Sequence, residues 1–212
     1  IASDLLLPEQ IAKNLHTPVT LNEDSDSTQL DAKNHLETAK TPHLYLAPYQ
    51  KMAKGRFGRP FYTSPQGGIY MSMHLKPNFP FEDMKPYTLM VASSVVKAIS
   101  RLTGIDTDIK WVNDIYLDDK KIAGILTEAI SSVETGLITD VIIGVGSNFY
   151  LQDFPEDLAN KATSLFHQPP SITRNQLITE IWKLFFPIPE KDLIKVYKEK
   201  SLVLNKQVTF ME

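Results

Sequence analysis

The sequence predicts an α+β domain: a mostly antiparallel or mixed β-sheet with helices on one face. Three observations predict it. After Gly104, four apolar segments follow one another with only short polar breaks, too close for βαβ crossovers and spaced as an antiparallel meander. Ile69, Met71, Met73 and Leu75 alternate with Tyr70, Ser72 and His74, the period of a strand. From Tyr87 to Leu102 there is no proline or glycine, and Leu89, Val91, Val95, Val96, Ile99 and Leu102 give a helical stripe.

In chain order, residues 1–20 read as an arm or linker, with LLL, Pro8, a short helical stretch and Pro18. A helix is expected from about 28 to 40, opened by Thr28 and Asp31 at capping-box spacing. Pro42 and Pro48 bracket HLYLA, a short strand. Gly104 stops the long helix from just beyond its end. The meander segments are IKWV, IYL, KIAGILTEAI and ITDVIIGV, with turns at Asn113-Asp114, Asp118-Asp119-Lys120 and Glu134-Thr135-Gly136. Helices near 173–186 and 190–200 close the chain around Pro187 and Pro189.

A length of 212 residues suits one well-buried domain. Apolar residues at 42% and charged residues at 22% exclude wholesale disorder. A net charge of -3 argues against a protein that coats nucleic acid through bulk charge. The absence of cysteine excludes disulfide scaffolds, thiol catalysis and cysteine zinc sites, and is compatible with a cytoplasmic location. No run approaches the roughly 18 apolar residues that cross a bilayer. The opening IASDLLLPEQIAK has Asp4 and Glu9 in its apolar run and no basic leader, unlike a signal peptide.

Glycine and positive charge gather in one place. Four of nine glycines fall at Gly55, Gly58, Gly67 and Gly68, and Gly144 and Gly146 form a second pair. The stretch QKMAKGRFGRPF at 50–61 carries Lys51, Lys54, Arg56 and Arg59 and no acid, +4 against a net -3, which leaves -7 elsewhere. Such a loop suits one anion, with freed backbone amides and guanidinium forks facing a phosphate; a solvated basic loop is the plain alternative. It is neither a Walker loop nor a Rossmann fingerprint. Lys110 and Lys121 lie in otherwise apolar strands, where burial of a charge needs a partner; strand-end lysines with their heads in water are the alternative. Asn148 follows the end of an apolar strand, where ligand groups are often placed. His16, His35, His43, His74 and His167 lack metal-ligand spacing, and Trp111 and Trp182 read as core.

Four ordered blocks together resemble the biotin protein ligases of the bacterial biotin-operon-repressor type: STQ at 27–29, QKMAKGRFGRPFYTSPQGGIYMS at 50–72, KWVNDIYLDDKKIAGILTE at 110–128 and IGVGSNF at 143–149. The resemblance implies a catalytic domain over 21–200 with the class II aminoacyl-tRNA synthetase-like, biotin–lipoate ligase fold. It implies an ATP-dependent ligase that joins biotin to AMP, with Mg2+ accompanying ATP. The biotinyl group then passes to a lysine of a biotin carboxyl carrier protein or domain, of acetyl-CoA carboxylase or a related carboxylase.

The family's motifs place Lys121 against the biotin carboxyl and the adenylate phosphate, and Lys54, Gly55 and Arg56 in a loop closing over both. Ser27, Thr28, Gln29 and Gln50 fall on its biotin positions, the polar groups facing the ureido ring, and Gly124 where the ring lies close to backbone. Arg59, Phe61 (or Tyr62), Asn113 and Asn148 fall on the nucleotide side, and Lys110 where it helps hold phosphate and Mg2+. Lys121, Arg56 and Lys110 are thus the catalytic set. Departures are Gln29 for the usual Asn, Ala53-Lys54-Gly55-Arg56 for the usual Gly-Arg-Gly-Arg, and Phe61 for Trp.

The resemblance also casts 1–20 as the link after a helix-turn-helix domain, and 201–212 as the start of a small C-terminal β-barrel. Operator DNA is then a partner only where such an N-terminal domain is present, and homodimerisation stays open. Lipoate or octanoate transfer is the competing chemistry; the polar set Ser27, Thr28 and Gln50 argues for biotin, since a linear acyl chain needs an apolar pocket.

Overall fold

The computed structural model describes residues 4–54, 67–110, 113–151, 156–186 and 198–201. A sheet runs through the domain in the order β1-β2-β3-β8-β7-β6-β5, built from Val19–Leu21 (β1), His43–Ala47 (β2), Gly68–Leu75 (β3), Asp108–Lys110 (β5), Asp114–Leu117 (β6), Lys120–Ser131 (β7) and Leu137–Asn148 (β8). Phe79–Pro80 (β4) adds to the far end of β8. Among the described strand pairs, β1 and β2 run parallel and the others antiparallel, so the sheet is mixed. The segments after Gly104 pair consecutively, β5 to β6 to β7 to β8, as their spacing predicts.

Alternation sets the two faces. Met71, Val145 and Ile125 are cross-strand partners and point one way, toward Tyr87–Thr103 (α3) and Arg174–Phe185 (α4). Trp182 of α4, fully buried, sets its indole N–H 3.2 Å from the Met71 sulfur, and Thr88 of α3 donates to Thr127 of β7 at 2.8 Å. Gly104 ends α3 at φ 74°, and Thr173 opens α4 with a capping box to Gln176. Asp118 and Asp119 join β6 to β7 at φ 49° and 65°, the left-handed pair that a two-residue hairpin of this twist needs.

The stretch expected as an arm carries Pro8–Leu15 (α1), whose Ile11 is fully buried in the core, and β1. Asp4 receives the Arg174 backbone N–H at 3.1 Å, which ties this segment to the start of α4.

The helix expected over 28–40 is shorter. Thr28–Lys33 (α2) spans six residues, and Ser27, not Thr28, is its N-cap, accepting from Leu30 N at 3.1 Å. Asp31 does not close a capping box; it accepts from Asn22 and from Ser25, at 3.1 and 2.6 Å. Leu30 is exposed, so no continuous apolar stripe exists to carry the helix onward, and the chain turns after Asn34. Residues 198–200 are helical; the rest of the expected 190–200 helix lies outside the described residues. α2 sits on the face of the sheet opposite α3 and α4, and that face holds the site.

Candidate functional site

Two cross-strand rows define the face under α2. One runs Lys110, Asp114, Gly124, Gly146, Tyr70, Ala47; the next runs Leu126, Gly144, Ser72, Tyr45. Gly124 and Gly146, partners on β7 and β8, put no side chain of their own between a charged end at β6–β7 and a polar end at β3, while Gly144 lies beneath the Gln29 side chain. A flat ligand can therefore lie on backbone there. The two ends are two inter-strand spacings apart from β7 to β3, about 10 Å.

Lys121 marks the charged end. It pairs with Tyr116 across a bulge and so shares the face of Asp114; its ammonium lies 3.1 Å from the Asp114 carboxylate. Its backbone is held on both sides, Lys121 N donating to Lys161 O and Thr163 N donating to Lys121 O, each at 2.9 Å. Lys110 is exposed, with its ammonium 5.2 Å from the Tyr116 ring centre. Asn113 spends its amide N–H on Ile125 O at 3.1 Å, while Ile125 N–H returns to Asn113 O at 2.8 Å, locking the hairpin end.

The polar end is built at the start of α2. Ser27 caps the helix. Gln50 Oε1 accepts from the Thr28 backbone N–H at 2.8 Å and lies 3.1 Å from its hydroxyl. The Thr28 hydroxyl is also 2.7 Å from that of Ser72. Gln29 lies across β8: its amide oxygen accepts from Ser72 at 2.6 Å and its nitrogen donates to Glu128 at 3.0 Å. A Cβ at Gly144 would stand 2.7 Å from that oxygen, so a side chain there would push the Gln29 amide off its partners. Lys33 closes on the other Glu128 oxygen at 2.6 Å.

Asn148 ends β8 at 5% exposure. Its amide nitrogen donates to Thr163 O at 3.2 Å, and its oxygen is a buried acceptor without a donor among the described residues. Lys54, exposed, is the last residue of the basic loop among those described before residue 67. Gly55, Arg56, Arg59, Phe61 and Tyr62 lie outside the described residues, as does Trp111. Among the described residues no three His, Asp or Glu side chains gather to hold a metal ion, and no helix is long and apolar enough to cross a membrane.

The structure thus brings Ser27, Thr28, Gln29 and Gln50 together, and sets Lys121, Lys110, Gly124 and Asn148 on the same sheet with them. Sequence reasoning passed over Asp114, taken as turn composition, and also Ser72 and Glu128. Ser72 carried a signal: a small hydroxyl on the polar side of an alternating strand.

Three of the scattered histidines also converge. The His43 ring stacks on Tyr45 at 4.5 Å and the His35 ring stacks on Tyr45 at 6.1 Å, while buried His74 bonds Asp140 at 2.7 Å. Burial, above all, pulls the His43 pKa below its ordinary 6.5, and the nearby His74 and His35 add to this. The unfolded chain then takes up this proton first, so stability falls as pH drops below about 6.5. Chemical denaturation from pH 7.5 to 5.5 is expected to show that fall, reduced in His43→Gln.

Residues 21–148 match the model of the biotin/lipoate A/B protein ligase family. The bifunctional ligase/repressor BirA of Bacillus spizizenii is 42% identical over 124 residues, 58% of this chain and 38% of that protein. Its Bacillus subtilis counterpart is 41% identical over the same shares. The chain therefore spans well under half the length of these curated relatives. The solved biotin protein ligase from Aquifex aeolicus in complex with biotin and ATP superposes with a TM-score of 0.65 at 27% identity, over 87% of this chain and 73% of that one. A family match over more than half of its length, on a sheet with this site, makes the chain a member of the biotin/lipoate A/B protein ligase family.

Proposed function

We propose that the chain is the catalytic part of an ATP-dependent biotin ligase, acting in the cytoplasm. It forms biotinyl-5′-AMP and pyrophosphate from biotin and ATP. It then passes the biotinyl group to a lysine of a biotin carboxyl carrier domain, of acetyl-CoA carboxylase or a related carboxylase. The observation that carries this reading is the pairing of a lysine end and a polar end across the glycine pair Gly124 and Gly146. A fused bicyclic head on a five-carbon acid chain fits between such ends. The Aquifex aeolicus ligase, solved with biotin and ATP, supports both substrates.

In the first step a biotin carboxylate oxygen bonds to the α-phosphorus and the bond to pyrophosphate breaks. Two anions must meet, so cations must stand between them. Lys121 supplies one, held in place beforehand by Asp114. Lys110 lies farther out, toward the polyphosphate, and Mg2+ arrives with ATP as part of that substrate. Arg56 and Lys54 add charge from the basic loop, Gly55 lets it approach, and Arg59 and Phe61 serve the nucleotide. The unpaired Asn148 oxygen suits a donor such as the adenine amino group. In the second step the acceptor lysine amine attacks the acyl carbon and AMP leaves. Thr28 and Gln50 read the ureido ring, with an acceptor for N–H and an amide for the carbonyl.

In a longer chain bearing a DNA-binding segment, the protein would also act as a biotin-responsive repressor; the Bacillus relatives are named bifunctional ligase/repressor. The test is exchange of labelled pyrophosphate into ATP. Exchange is expected with biotin and not with lipoate; exchange with lipoate alone would transfer the assignment to the lipoate branch.

A further inference from the structure

The hydroxyl proton of Thr28 has only protein oxygens to go to, and the reason lies two residues away. The Gln29 amide can face one way only. Its nitrogen points at Glu128 Oε1 at 3.0 Å and at the backbone oxygens of Leu126 and Ile142 at 3.4 and 3.5 Å. Turned over, it would set an oxygen against three oxygens. Its own oxygen therefore faces Ser72, 2.6 Å away, and that contact requires the Ser72 proton. With that proton spent, the 2.7 Å contact between Thr28 and Ser72 requires the proton of Thr28. The other neighbour, Gln50 Oε1 at 3.1 Å, is an acceptor too, turned toward Thr28 by the backbone N–H it accepts.

The geometry points to Ser72 and Gln29 as positioning residues that fix the hydrogen-bonding sense of Thr28, so that its hydroxyl offers a ligand lone pairs only. This rests on the biotin reading above and adds a rule of specificity to it. The pocket takes a ring N–H at Thr28 and rejects a ring oxygen. A ring oxygen there meets lone pairs, and Thr28 cannot turn its proton outward without leaving two oxygens 2.7 Å apart with no proton between them. The length of Gln29 matters: it spans β8 from Ser72 on β3 to Glu128 on β7, over the gap that Gly144 leaves.

Calorimetry tests this with three ligands: biotin, and the two analogues in which one or the other ureido N–H is replaced by a ring oxygen. Wild type is expected to bind one analogue about 10–100-fold more weakly than biotin. In Ser72→Ala the Thr28 proton can choose between Gln50 and the ligand, and that ratio should shrink at least fivefold. Gln29→Met frees the Ser72 proton to point at Thr28 and should do the same; it sits at a half-exposed helix position and serves if Ser72→Ala does not fold. A merely structural role would weaken all three ligands alike, and an unchanged ratio overturns the proposal. Equal binding of all three by wild type overturns it as well. No biotin binding by folded wild type would instead bring down the biotin assignment, and this rule with it.

Discussion

Lys121→Ala is expected to lower biotin-dependent pyrophosphate exchange by about 10²–10³-fold, the usual cost of removing one preorganised donor from a developing charge. The expectation follows from placement. The side chain is 30% exposed and reaches one strand over to Asp114, while both backbone groups are tied to the 161–163 segment. Truncation therefore removes the ammonium and leaves the strand where it was. Asp114 Oδ1 is buried against Lys121, but the side chain as a whole is 24% exposed and truncation opens that oxygen to water, so the variant should fold, which circular dichroism checks. Biotin affinity should fall less than exchange does, because the ureido contacts at Thr28 and Gln50 are untouched. Exchange within threefold of wild type would remove Lys121 from the reaction.

Much of this was legible in the chain, for identifiable reasons. Strand period and short turns announced β5 to β8, because antiparallel neighbours in sequence are neighbours in space. Gly104 and the stripe before it gave α3, since a long buried helix face leaves a periodic trace. α2 was misread because six residues cannot show a period. Its N-cap is Ser27, one residue before the capping-box spacing, and Asp31 is instead bonded by Ser25 and Asn22, which no local pattern encodes. Lys121 was visible as a charge in an apolar strand. Its partner Asp114 was hidden, since Asn-Asp reads equally as a turn, and only the bulge at Ile115/Tyr116 brings the two onto one face. Ser72 and Glu128 matter through residues 43 and 99 positions away from them in sequence, a separation that alternation alone cannot bridge.

Gly67→Ala should be the most damaging single-methyl change at the sheet's site end. Gly67 has φ 79°, and its carbonyl accepts from Tyr150 N at 2.7 Å, closing the β3–β8 ladder just beyond the Gly68–Asn148 pair. An alanine Cβ would fall 1.7 Å from the Tyr150 carbonyl oxygen, which is backbone and cannot swing aside. Gly104 separates the two causes. It too is left-handed, at φ 74°, but an added Cβ meets nothing within 4 Å. Gly104→Ala should therefore cost only the backbone conformation, about 1–2 kcal/mol. Gly67→Ala adds displacement of residues 150 and 151 and should cost about 3 kcal/mol or more, enough to lower Tm by roughly 6–12 °C in a chain of this size. The displaced end carries Asn148, proposed above to meet the nucleotide, so on that reading nucleotide affinity should fall in Gly67→Ala and hold in Gly104→Ala. Thermal melts and ATP titrations of the two variants decide the point. Equal losses in both would mean that backbone strain alone, and not the close approach of β3 to β8, sets the need for glycine at 67.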